Sequence, residues 1–97
     1  MVTKQEISTL IQESIKALNE EKAEDKKIPV SDDTRLLGSG TLMDSLDFIV
    51  VITSIEERVL ASTGQNVELD VDLDTPEESN PYRDVGTLSA HIATMLD

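Results

Sequence analysis

Two stretches of this 97-residue chain carry apolar residues at every third or fourth position, and they constrain its fold more than any other feature. In the stretch from Thr3 to Leu18 these residues are Ile7, Leu10, Ile11, Ile15 and Leu18. In the stretch from Ser45 to Leu60 they are Leu46, Ile49, Ile52, Ile55 and Val59. Such spacing places each set on one face of an α-helix. The sequence therefore predicts two long amphipathic helices that share one core. Thr3, followed by Glu6, is expected to cap the first helix, and Gly64 to mark the end of the second.

The rest of the chain predicts long connections and two further helical segments. Residues 19–42 contain proline, serine and glycine and are typical of a loop, which Leu36 and Leu37 attach to the core. Apolar and acidic residues alternate over residues 67–74, which favours an extended, ordered loop. Thr75-Pro76-Glu77-Glu78 predicts a short helix. Thr87 is expected to cap a last helix, whose inward residues are Leu88, Ile92, Met95 and Leu96. We therefore expect an all-α fold: one domain over residues 1–97, forming a small four-helix bundle of three main helices and one short one, with long loops.

The formal net charge of −12 limits the classes of partner. Nucleic acids and anionic membranes carry the same sign and are repelled, whereas partners with basic docking patches are attracted. Solubility alone is the other explanation of this charge. No apolar run approaches the roughly 20 residues of a membrane helix, and the start of the chain lacks the apolar core of a signal peptide. We expect a soluble, cytoplasmic monomer that does not insert into membranes.

Little in the chain points to catalysis. There is no cysteine, and His91, the one histidine, belongs to no recognisable catalytic motif. Asp70, Asp72 and Asp74 invite a calcium site, but the sixth and twelfth positions counted from Asp70 are not the glycine and glutamate of an EF-hand. A solvated acidic edge is favoured, and weak divalent binding by the segment from Glu68 to Asp84 stays open. We expect a protein that is not an enzyme.

The most informative segment, residues 42–48, has the features of a helix start. Asp44 is a favourable cap, and Met43 and Phe48 occupy the two positions of a hydrophobic staple. Ser45 is then the first helical residue. Its hydroxyl lies at the positive end of the helix dipole, where a phosphodiester would be stabilised.

Three motifs resemble one known family. Asp44-Ser45-Leu46 resembles the Asp-Ser-Leu signature of acyl carrier proteins. Ile55-Glu56-Glu57-Arg58-Val59 is similar to the end of the family's second helix, and Val85-Gly86-Thr87-Leu88 to the entry to its last helix. With the order of helices and the acidity, the resemblance covers nearly the whole chain.

The resemblance implies a carrier function. A phosphopantetheinyl transferase would move 4′-phosphopantetheine from coenzyme A onto Ser45, and Asp44 and Asp47 match acids that engage this transferase. Leu46 matches an apolar residue near the arm, and Glu56 and Glu57 match acids that dock on partner enzymes. A ligase or transferase would load the acyl group as a thioester, for use in fatty acid, polyketide or related specialised acyl metabolism.

The chain departs from the family's pattern at three positions of the second helix. Val50 stands where an acid is usual, Phe48 where a small or polar residue is usual, and Arg58 where an acid is common. These changes indicate a specialised carrier with a more apolar docking face, to which Phe48 and Val50 would contribute. Two alternatives remain open: an aminoacyl, peptidyl or D-alanyl carrier, and a non-carrier acidic helical interaction module.

Overall fold

The computed structural model describes residues 2–38, 41–69 and 76–96. These residues form three α-helices, which are α1 (Lys4–Asn19), α2 (Ser45–Thr63) and α3 (Val85–Met95). They contain no strand, only an isolated antiparallel bridge between Arg35 and Asp84. The all-α expectation is thereby confirmed. The predicted fourth helix is a single 3-10 turn, Glu77–Ser79, because Pro81 disfavours a helical conformation at the residue before it and so ends the element early.

The first helix begins after its predicted cap, Thr3, and ends at a buried asparagine that is hydrogen-bonded to the following loop. Thr3 Oγ1 accepts the Glu6 N–H at 3.1 Å. Asn19, the last helical residue, is buried, and its amide exchanges two hydrogen bonds of 2.8 Å with the backbone of Ile28. The charged stretch that follows therefore turns back on the helix, through a 3-10 turn at Glu24–Lys26.

The core lies where α1 packs against both α2 and α3. Its fully buried hydrophobic side chains are all aliphatic, in keeping with a chain that has one Phe, one Tyr and no Trp: Ile7, Ile11, Ile15, Leu36, Val51, Ile55, Val59, Val85, Leu88 and Ile92. The rings of Phe48 and Tyr82 add an edge-to-face contact with centroids 6.2 Å apart. Leu36 also donates its N–H to Arg83 O at 2.8 Å. The long loop is thus attached to the core through Leu36, as expected.

The last helix begins earlier than predicted. Its cap is Asp84, whose Oδ1 accepts the Thr87 N–H at 2.8 Å, so Thr87 lies within the first turn. Gly86, also in that turn, approaches the loop closely and donates its N–H to Asp32 O at 2.8 Å. A Cβ at this position would lie 3.3 Å from the same oxygen, which explains a glycine where a helix start would not need one. The prediction that Met95 faces inward is also wrong, because Met95 is the last residue of α3 and is exposed.

The second helix ends where the sequence predicts. Gly64 follows it with a φ of +74°, the left-handed conformation that closes many helices. Val67 and Leu69 are then buried on the core, in agreement with the predicted alternation. The remaining interpretations of this segment, concerning Asp70, Asp72, Asp74 and Thr75, lie outside the described residues.

Candidate functional site

Ser45 lies at the first position of α2, exposed to solvent. The residue before it, Asp44, caps the helix by accepting the Asp47 N–H at 2.7 Å. Met43 and Phe48 are both buried, as a hydrophobic staple requires. The local sequence therefore fixes the angle at which the loop enters α2 and leaves the Ser45 hydroxyl accessible at the positive end of the helix dipole.

An apolar cavity of about 530 Å³ extends from Ser45 along α2. Its lining residues come from the loop before α2, from α2 itself and from the segment after Gly64: Leu36, Leu37, Met43, Asp44, Ser45, Phe48, Ile49, Ile52, Thr53 and Leu69. Apart from Asp44, Ser45 and Thr53 these side chains are apolar. A chain attached at Ser45 would thus find a site of low polarity directly beside it.

Large apolar side chains are also exposed around Ser45. Leu42, Leu46, Ile49 and Val50 are 64%, 69%, 59% and 45% exposed, and we call these four residues the apolar strip. All four lie within five positions of Ser45 along the chain, and three of them belong to α2. An exposed apolar patch of this kind is typical of a protein interaction site.

The acids of α2 fall into two groups. Asp47 pairs with Lys22, with 2.8 Å between Oδ2 and Nζ, and Glu56 Oε2 accepts the Leu69 N–H at 3.0 Å. Both carboxylates are therefore engaged within the chain. Asp44 and Glu57 are exposed, although Asp44 also serves as the helix cap.

Two residues expected to dock on partners lie in different surroundings. Val50 belongs to the exposed apolar strip. Phe48 is only 6% exposed, since its ring packs in the cavity wall and against Tyr82. A side chain buried to this degree offers little surface to another protein, and Phe48 lines the cavity instead.

The remaining polar groups suggest structural roles. His91 is half-buried and packs against Tyr82 with ring centroids 6.0 Å apart. Burial by itself would raise the pKa of Asp84, but hydrogen bonds from Thr87 and Arg83 outweigh it and lower that pKa below its ordinary value. In the described part of the chain, no group of three or more potential metal-ligating side chains is gathered in one place. Across the same residues, no helix has both the length and the apolar character to cross a membrane.

Two contacts of the site were not foreseen from the sequence, the Lys22–Asp47 ion pair and the Glu56–Leu69 hydrogen bond. The paired residues are 25 and 13 positions apart, and no local pattern encodes such a pairing.

In comparisons with known proteins, no family model, no curated protein and no solved structure matches this chain. The functional assignment therefore rests on the geometry around Ser45 and on the resemblance carried by its motifs.

Proposed function

We propose that this chain is a carrier protein, with 4′-phosphopantetheine as its covalent cofactor on Ser45. The observation that carries the proposal is the position of Ser45, exposed at a helix start and in the wall of a 530 Å³ apolar cavity. Neither a structural serine nor a simple helix cap requires such a cavity beside it. Within this class, we assign the chain to the acyl carrier proteins.

Attachment of the arm is a phosphoryl-type transfer performed by a transferase. The Ser45 oxygen attacks the phosphorus on the pantetheine side of the coenzyme A pyrophosphate. A phosphodiester forms at Ser45, adenosine 3′,5′-bisphosphate leaves, and the hydroxyl proton passes to a base of the transferase. The N-terminus of α2 stabilises the new negative charge, while Asp44 favours a transferase with cationic groups or a bound metal ion.

The apolar lining favours acyl cargo over aminoacyl cargo. Burying each methylene of an acyl chain contributes about 0.8 kcal/mol, so a fatty acyl thioester is stabilised inside the cavity. A free ammonium group would lose its hydration there, and the described lining offers it only Asp44 as a counter-charge, at the rim. We therefore place the aminoacyl and D-alanyl carriers second.

Partner enzymes would meet a docking face centred on the apolar strip. Leu46 would lie beside the arm, Val50 would add to the strip, and Glu57 would contribute a charge at its edge. Asp47 and Glu56 would contribute less than the resemblance implies, because Lys22 and the Leu69 N–H already hold them. Loading enzymes and acyl-processing enzymes with an apolar centre and a basic rim fit this face. On this account the carrier itself catalyses nothing.

The cargo assignment is tested by loading a broad-specificity transferase with octanoyl-coenzyme A, acetyl-coenzyme A or alanyl-coenzyme A. Each arm reaches Ser45 without the need for a cognate ligase. We expect the octanoyl form to melt at a higher temperature than the acetyl form, and the alanyl form to show no such gain. Equal melting temperatures for all three would contradict acyl sequestration and favour the aminoacyl alternative.

A further inference from the structure

Glu56 makes a hydrogen bond to the backbone of a residue that lines the cavity. Its Oε2 accepts the Leu69 N–H at 3.0 Å, although the two residues belong to different segments. Leu69 lines the cavity and is 9% exposed, and Val67 beside it is 4% exposed. The segment after α2 is therefore held by a hydrogen bond at the Leu69 backbone in addition to the burial of two apolar side chains.

The positions along α2 show which end of the cavity this is. Ser45 and Thr53 both line the cavity and are eight positions apart, which is about 12 Å along the helix axis. Glu56 follows Thr53 by three positions and thus lies one turn farther from Ser45. Since Glu56 Oε2 accepts the Leu69 N–H and Leu69 lines the cavity, this contact ties a lining residue to the part of α2 that lies beyond Thr53 as counted from Ser45.

We propose that Glu56 is a positioning residue that sets the length of acyl chain this carrier can shelter. The inference rests on the proposed carrier function and extends it to cargo selectivity. A hydrogen bond to a charged acceptor on a long helix is stronger than one to a neutral acceptor, so it fixes the adjacent backbone. With Leu69 fixed, an acyl chain that reaches it must stop or bend. Without the bond, Leu69 gives way and a longer chain fits.

The first experiment tests the Glu56–Leu69 hydrogen bond in the unmodified protein. Amide hydrogen exchange at Leu69 is measured by NMR in the wild type, Glu56→Ala, Glu56→Gln and Glu57→Ala. Glu57 is the matched control, since it is the adjacent glutamate and is exposed. We expect exchange to rise about tenfold in Glu56→Ala, as the loss of one such bond implies. Glu56→Gln keeps an oxygen acceptor and should show a smaller rise, and Glu57→Ala none. If the Leu69 amide of Glu56→Ala exchanged as slowly as in the wild type, the proposal that Glu56 positions Leu69 would be overturned.

The second experiment tests chain length. A broad-specificity transferase loads the same proteins with acyl arms from butanoyl to hexadecanoyl, and the melting temperature is followed against length. In the wild type and Glu57→Ala we expect the melting temperature to rise with acyl chain length up to the same length and then to level off. In Glu56→Ala we expect the rise to continue to longer acyl chains. Identical profiles in the wild type, Glu56→Ala and Glu57→Ala would overturn the inference and leave the carrier function standing. If the wild type accepts no arm at all, the carrier function itself fails and the cargo inference with it.

Discussion

Lys22 and Asp47 form an ion pair, with 2.8 Å between Nζ and Oδ2, that joins the segment after α1 to the first turn of α2. The two side chains are only 20% and 15% exposed. Asp47 lies two positions after Ser45, so the pair sits beside the proposed attachment site. It also withdraws a carboxylate that the resemblance assigns to transferase docking.

Removing this ion pair should destabilise the protein measurably. Because both groups are largely shielded from water, we expect Lys22→Ala to lower the free energy of unfolding by about 1 kcal/mol at low salt, and by less at high salt. Urea denaturation at two ionic strengths measures this change. The matched control is Lys27→Ala, since Lys27 pairs with Glu24 at 3.3 Å in a much more exposed setting. Equal effects of the two substitutions would show that the burial of the Lys22 pair has no energetic consequence.

Asp84 should make part of the stability dependent on pH. Its pKa is lower in the folded chain than the ordinary value of 3.8, so the unfolded chain binds more protons as the pH falls through this range. The contribution of the Asp84 charge is therefore complete above pH 3.8 and is lost as the pH falls toward the folded pKa. The stability difference between the wild type and Asp84→Asn should shrink in this window, as followed by thermal unfolding.

A second variant separates the charge of Asp84 from its role as a cap. Asp84→Ala removes the oxygen that accepts the Thr87 N–H, and we expect it to be less stable than Asp84→Asn by about 1 kcal/mol at every pH. A difference between the wild type and Asp84→Asn that stays constant below pH 3.8 would contradict the charge effect.

The apolar strip should govern the encounter with the transferase. We expect Leu46→Ala to lower kcat/KM for arm transfer by about tenfold, because a central apolar contact is lost while the fold is kept. Leu60→Ala is the matched control, since Leu60 is also an exposed leucine of α2 but lies at its opposite end. Steady-state transfer from coenzyme A measures both variants. Equal kcat/KM values for Leu46→Ala and Leu60→Ala would show that the apolar strip is not part of the surface that the transferase contacts.

The elements of the fold that depend on local pattern were predictable from the sequence. The apolar periodicity predicted α1 and α2, and their boundaries followed from Thr3, Asp44 and Gly64, which act within one turn of the helix they limit. The start of α3 was not predictable in this way. Asp84 and Thr87 are both residues that commonly cap helices, and Gly86 between them suggests from sequence alone that no helix has yet begun. The structure shows that Gly86 is instead required by its close contact with the backbone oxygen of Asp32.

In the candidate site too, features set by neighbouring residues were predictable, and features set by distant contacts were not. The helix start at Ser45 and its staple follow from neighbouring residues, and the structure places them as predicted. Whether an acid such as Asp47 or Glu56 faces a partner or pairs within the chain depends on where Lys22 and Leu69 are brought by the fold. The buried position of Phe48 has the same origin, because its ring meets Tyr82 from a distant segment.

The most direct test of the carrier function is the intact mass of the apo protein before and after incubation with coenzyme A and a broad-specificity phosphopantetheinyl transferase. Ser45→Ala is the control; since Ser45 is exposed, this variant should keep the fold and its stability within about 0.5 kcal/mol. We predict that the wild type gains the mass of one 4′-phosphopantetheine and that Ser45→Ala gains nothing. A folded wild-type protein that never gains this mass, with a panel of transferases, would contradict the account and favour an acidic interaction module.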